Sequence, residues 1–366
     1  MIFLLYNNSI CTDIIFLIFY VKFIRRFVVV YVLLLLSFVI LIKGADIFIE
    51  GSSAVAKAFK IPELIIGIVI VGFGTSLPEF AVNMAAIVNG SNEMAIGNVV
   101  GSNVFNILFI IGVIAIFKPM TIDDKLASFD FPIAIIAAII LPFLAFDGSF
   151  LGIDTNLSRI DGVILLLIFA YFVKETISRS LEDQKFKEKK MMIYEIGQGT
   201  FKLNNFLKSK HNKKPSIKHL SKDIVMIVIG LVAVIKGGDM VIEYASEIAT
   251  AFGMSKHLVG LTIVGVGTSL PELVVCILAA KRGQQGIVIG NVVGSNTFNI
   301  LLTLGATIAI KPIVVDPSML RDAFTVGMAT VIVGGVAIMQ KKIGKVAGFL
   351  LVAIYIGYMY SIIISG

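Results

Sequence analysis

Charge is what this chain has least of for its size: 15% of its 366 residues are Asp, Glu, Lys or Arg, while 57% are hydrophobic. Soluble domains carry roughly a quarter charged residues, so the deficit excludes an ordinary water-facing surface. Tryptophan is absent. The two cysteines, Cys11 and Cys276, supply neither a disulfide framework nor a thiolate metal pattern. His211, His219 and His257 are scattered, form no ligand cluster and read as structural or solvated. The chain also lacks a nucleophile–base pair, a phosphate loop and any cofactor motif, so an enzyme is excluded and no cofactor is expected.

Long apolar stretches take the place of the missing charge. Runs such as 27–42 and 131–146 approach the roughly 20 residues that a spanning helix needs. A buried soluble core explains one such run, but not about ten in succession. Ten main spans are expected, at 27–48, 61–88, 93–117, 129–146, 160–175, 222–250, 256–280, 285–310, 322–339 and 343–365. The net charge of +7 resembles a nucleic-acid signal until its distribution is read. Between Lys174 and Lys222 there are 13 Lys or Arg against 5 acids, which marks a cytoplasmic loop. No nucleic-acid partner is expected; the surroundings are the lipid bilayer of the cell membrane.

The chain repeats itself at a constant offset of 193 residues. Lys43-Gly44-Ala45-Asp46 returns as Lys236-Gly237-Gly238-Asp239. The run from Gly74 to Glu79, GTSLPE, returns unchanged from Gly267 to Glu272. The run from Gly97 to Asn103, GNVVGSN, returns from Gly290 to Asn296, and Lys118-Pro119 returns as Lys311-Pro312. Each copy holds five spans, and an odd number forces the second to enter the membrane from the opposite side. The expected fold is an all-α membrane protein of ten transmembrane helices in two inverted five-helix repeats, with helices 2 and 7 broken. The divisions are 1–26, an N-terminal hydrophobic extension without a counterpart; 27–175, the first repeat; 176–221, the basic cytoplasmic loop; and 222–366, the second repeat. With that loop inside, Lys57, Lys118, Lys281, Arg282 and Lys341 also fall inside, whereas Lys256 and Lys311 fall outside.

Glu79 and Glu272 lie in the middle of apolar spans, where an acid costs at least about 2.5–3.5 kcal/mol on insertion scales. The bland alternatives are a helix-end glutamate reaching the interface, or pairing with Lys43 or Lys236, which lie near the far ends of other spans. Pro78 and Pro271 remove a backbone donor just before each acid, and Gly72, Gly74, Gly265 and Gly267 loosen the same turns. A helix broken there frees main-chain carbonyls that a cation can satisfy. Thr75, Ser76, Thr268 and Ser269 add hydroxyls. These are hard ligands, suited to Ca²⁺ or Na⁺ rather than zinc or copper. On the following spans, Ser102 and Asn106 share a helical face, as do Ser295 and Asn299. The neighbouring glycines, Gly97, Gly101, Gly290 and Gly294, are equally those of close helix packing. Asp46, Glu50, Asp239 and Glu243 are read as helix-end residues, solvated or paired.

The two motifs, with Phe-Asn following the second, resemble the paired alpha-repeats of the sodium/calcium exchanger branch of the cation/calcium antiporter superfamily, over essentially all of 27–366. The resemblance, to prokaryotic calcium/sodium antiporters, implies alternating access with spans 1 and 6 as the moving pair. It implies an ion site of Thr75, Ser76, Glu79, Ser102 and Asn106 with Thr268, Ser269, Glu272, Ser295 and Asn299, together with the carbonyls of Gly72 and Gly265. The chain departs from the family pattern at Asn299, where aspartate is usual. Two site carboxylates balance one Ca²⁺ or two Na⁺, and a third Na⁺ would leave one positive charge uncompensated. The function expected is Na⁺/Ca²⁺ antiport at a shared mid-membrane site. The alternative is Ca²⁺/H⁺ exchange on the same glutamate pair, although cation/proton exchangers word their repeats differently.

Overall fold

The computed structural model describes residues 2–59, 61–88, 92–122, 124, 126–146, 156–197, 217–253, 265–315 and 317–365, and over 2–27 the backbone alone. Its helices are α1 (Ile2–Phe59), α2 (Ile66–Thr75), α3 (Leu77–Val88), α4 (92–117), α5 (126–146), α6 (Arg159–Gly197), α7 (Ile217–Ala251), α8 (Leu270–Lys281), α9 (285–310), α10 (Pro317–Gln340) and α11 (Lys345–Ser365). Seven stretches among the described residues are long and apolar enough to cross a membrane, and eight if the bent pair α2–α3 counts as one span. The protein is an all-helical membrane protein. Two-residue antiparallel ladders join Met120–Thr121 to Lys342–Ile343 and Asn156–Leu157 to Ile313–Val314. In each case one strand directly follows a recurring Lys-Pro pair.

Two helices run further than their hydropathy suggests. The first expected span ends at 48, yet α1 continues unbroken to Phe59, and the backbone of 2–26 continues into it without a break. Asp46 and Glu50 therefore lie inside a helix rather than at its end. The expected loop 176–221 is helical as far as Gly197. Its Lys and Glu residues are good helix formers, and Arg179 reaches Glu175 one turn away at 2.7 Å.

Glycine sets how closely the helices approach. A Cβ on Gly230 of α7 would lie 2.5 Å from the Phe48 amide nitrogen, and one on Gly237 would lie 2.6 Å from that of Leu41. From the other side, a Cβ on Gly44 would lie 2.7 Å from Ala233 Cβ. α1 and α7 thus touch backbone to backbone, while Val28, Val32, Leu35, Val225, Val228 and Val232 face outward. At the centre lies α9, buried at every position from Ile287 to Phe298. α2 packs on it through Gly67, Gly290 and Gly294, each with opposing backbone within 3.0 Å of a built Cβ. The turn between α8 and α9 hangs on Gly283, whose φ of +79° ends α8. There Arg282 donates to Asp46 Oδ1 at 2.6 Å, and Gln284 Nε2 donates to Ser53 Oγ at 2.6 Å, which ties α1 to this turn.

Gly237→Leu should cost at least about 2 kcal/mol through overpacking of the α1–α7 contact. Gly357→Leu, where a Cβ meets nothing within 4 Å, is the matched control and should cost no more than about 0.5 kcal/mol. Thermal melts of the two purified variants in one detergent check the difference.

Candidate cation site

Two chain breaks at matched positions place the acids. Leu77-Pro78-Glu79 opens α3 and Leu270-Pro271-Glu272 opens α8. Each proline lacks the N–H that the preceding turn would use. The serines just before lie at φ −85°, ψ 2° for Ser76 and φ −93°, ψ 8° for Ser269, in the sparsely used bridge region. The axis turns by 43° between α2 and α3. Both acids consequently stand in the first turn of a helix, where unpaired N–H groups favour negative charge.

Glu79 and Glu272 are completely buried. Each accepts a hydrogen bond from the opposite half of the chain: Ser269 donates to Glu79 Oε1 at 3.2 Å, and Ser76 donates to Glu272 Oε1 at 3.4 Å. These two contacts interchange under the 193-residue offset. The acids therefore lie across the seam between the repeats. Ser102 donates a second bond to Glu79 Oε1, at 3.4 Å.

The remaining hydroxyls break the symmetry. The Thr75 hydroxyl lies 3.0 Å from the Val71 carbonyl and 3.1 Å from Asn291 Oδ1. The Ser295 hydroxyl lies 3.2 Å from the Gly72 carbonyl and 3.4 Å from Asn291 Oδ1. Their counterparts differ, since Thr268 Oγ1 has no hydrogen-bond partner and Ser102 turns to Glu79. Gly265 is the first described residue after 264. Asn106 and Asn299 stand at the start of π-helical segments, Phe105–Ile110 and Asn299–Leu304, which widen the helix at matched places. Such local π turns are frequent at functional sites. The segment bearing Asn299 packs against α3, and the segment bearing Asn106 packs against α8.

Among the residues expected to form the site, six buried polar atoms have no hydrogen-bond partner: Glu79 Oε2, Glu272 Oε2, Asn106 Oδ1 and Nδ2, Asn299 Oδ1 and Thr268 Oγ1. Each such group costs about 1–3 kcal/mol, and more when charged, unless something fills its valence. Five of the six are oxygens of the types that hold hard cations.

Three pairs were not singled out from the sequence. Asn98 donates to the Glu79 carbonyl at 3.1 Å and to Asn83 Oδ1 at 2.7 Å, bracing α4 against α3. Asn291 does the same in the second half, donating to the Glu272 carbonyl at 3.5 Å and to Cys276 Sγ at 3.1 Å. Asn103 and Asn296 bond to each other's backbone across the seam. Helical spacing carries the signal for the first of these, because Asn98, Ser102 and Asn106 fall on one face.

The sequence matches the family described as "Sodium/calcium exchanger protein" over residues 29–174 and 222–364. The chain belongs to this family. Among relatives of the exchanger, the inner membrane protein YrbG of Escherichia coli is 30% identical, over 78% of this chain and 81% of that protein. The sodium/calcium exchanger MaX1 of Methanosarcina acetivorans is 31% identical, over 75% of this chain and 81% of its own. A solved structure of the sodium-calcium exchanger NCX_Mj superposes with a TM-score of 0.74 at 27% identity, covering 92% of this chain and 99% of that one. The protein is a multi-pass membrane antiporter of the exchanger family and not an enzyme.

The bracing pairs give a stability test. Asn83→Leu takes the acceptor from one half-buried Asn98 amide proton and should cost about 1 kcal/mol. Asn83→Cys copies the Asn291–Cys276 arrangement into the first half and should cost less than half as much. Detergent melts of the two variants decide it.

Proposed function

We propose that this exchanger carries Ca²⁺ against Na⁺ by alternating access through one shared site centred on Glu79 and Glu272. One observation carries the reading: two fully buried acids, each bonded to a serine of the opposite half, each keep one carboxylate oxygen without a partner. Two carboxylates supply two negative charges, which one Ca²⁺ or two Na⁺ cancel. Thr75, Ser76, Ser102 and Asn106, with Thr268, Ser269, Ser295 and Asn299, complete an uncharged oxygen shell, to which this reading adds the carbonyls of Gly72 and Gly265. A cation leaving water for this pocket exchanges its hydration shell for those oxygens, and no covalent chemistry or ATP enters.

In this reading the apolar first part of α6, and a span that ends in α8, join the qualifying helices to make ten. Five belong to 27–175 and five to 222–366, inverted relative to each other, with 176–221 on the cytoplasmic side and 1–26 outside the transport machinery. Alternating access then exposes one fixed site to either face in turn. Exchange of three Na⁺ for one Ca²⁺ would move one net charge per cycle, worth about 2.3 kcal/mol per 100 mV.

The test is ⁴⁵Ca²⁺ uptake into Na⁺-loaded proteoliposomes at constant pH. Glu79→Gln and Glu272→Gln should each lower the rate at least about a hundredfold, the scale of removing a buried charge partner, while the protein still elutes as a folded species. Uptake that needs only a proton gradient would assign protons as the counter-ion. Flux that needs no counter-ion would make the protein a channel.

A further inference from the structure

Where α4 crosses α9, backbone carbonyls dictate how two asparagine side chains are turned. Asn103 Nδ2 donates to the Asn296 carbonyl at 3.2 Å, and Asn296 Nδ2 donates to the Asn103 carbonyl at 3.2 Å. A carbonyl only accepts, so each amide must give its nitrogen to the opposite backbone and turn its oxygen away. Asn103 Oδ1, so turned, lies 3.2 Å from Asn299 Nδ2. The same reasoning passes to Asn299. Its nitrogen is committed to Asn103, and its oxygen remains buried and without a partner. In the matching half the relay stops one step short, because Asn296 Oδ1 and both amide atoms of Asn106 are without partners.

We propose that Asn103 is a positioning residue that holds Asn299 oxygen-first, as a neutral ligand of the cation site. The inference rests on the reading of the Glu79–Glu272 pocket as that site. It also assigns a reason for the amide at 299. A carboxylate there would set an acceptor oxygen against the acceptor Asn103 Oδ1. Relief would require Asn103 to rotate its amide and abandon the Asn296 carbonyl, or the carboxyl group to bind a proton and donate it to Asn103 Oδ1.

The experiment is a double-mutant cycle read by equilibrium ⁴⁵Ca²⁺ binding to the purified full chain, which does not depend on the counter-ion. Asn103→Leu should weaken Ca²⁺ binding about tenfold, the scale of one hydrogen bond to a ligating group. In an Asn299→Leu background the same change should add less than about twofold, because the two residues act as one unit. Asn103→Asp keeps the acceptor for Asn299 but sets its second oxygen against the Asn296 carbonyl, so it should weaken binding less than Asn103→Leu; the effect of its added charge is read separately in the Asn299→Leu background. If Asn103→Leu does not accumulate as folded protein, Asn103→Ser takes its place in the cycle. Additive effects, no effect of Asn103→Leu, or equal losses for Asn103→Leu and Asn103→Asp would each overturn the proposal. Glu79→Gln runs alongside. If it binds Ca²⁺ like the wild type, the site reading itself has failed; if it loses binding while the cycle is additive, only the role of Asn103 has.

Discussion

Two carboxylates enclosed in an apolar helix bundle constrain everything around them. Neither can be left to lipid, and both lie at the seam where the two repeats meet, so the halves must come together to solvate them. Solvation on this scale needs short distances. Glycines on α2 and α9 supply them by letting backbones touch, and the proline breaks turn the acids and hydroxyls towards the seam. The packing and the polar chemistry are therefore one arrangement. A bulkier residue at Gly290 or Gly294 would separate the elements that carry the oxygens.

Around the acids, the asparagines do two different jobs. Asn98 and Asn291 brace each acid's own carbonyl to the next helix, which fixes α3 on α4 and α8 on α9. Asn103 and Asn296 lock the two halves to each other through backbone acceptors. Low local dielectric raises the worth of such networks when they are complete, and the cost when they are not. Among the atoms left without a partner are one oxygen of each acid, both amide atoms of Asn106 and the amide oxygen of Asn299.

Much of this was legible in the sequence because it depends on local chemistry. Pro78 and Pro271 announce a break wherever they are placed, and the bend beside Ser76 follows from them. An acid in an apolar run declares itself by its cost, and the 193-residue offset pairs every such feature with its partner. The contacts across the seam were not legible. That Ser76 meets Glu272 rather than Glu79 depends on how helices pack over 196 residues of separation, which periodicity does not encode. The π segments were missed for a similar reason, since their widening shows only in the backbone of Phe105–Ile110 and Asn299–Leu304. Helix ends were misjudged where hydropathy stops but helix propensity continues, as in α1 beyond 48 and α6 beyond 175. Residues 256–264 of the expected span 256–280 lie outside the described residues.

The paired exchanges, Ser76 with Glu272 against Ser269 with Glu79, and Asn103 with Asn296 in both directions, have the form of an isologous dimer contact, in which each partner offers the same patch to the other. In a true homodimer every substitution would appear on both sides at once. Covalent fusion lifts that restriction. Cys276 can occupy the position that Asn83 holds in the first half, and Asn299 can be tethered while Asn106 is free, so a once-duplicated surface can evolve two faces that behave differently.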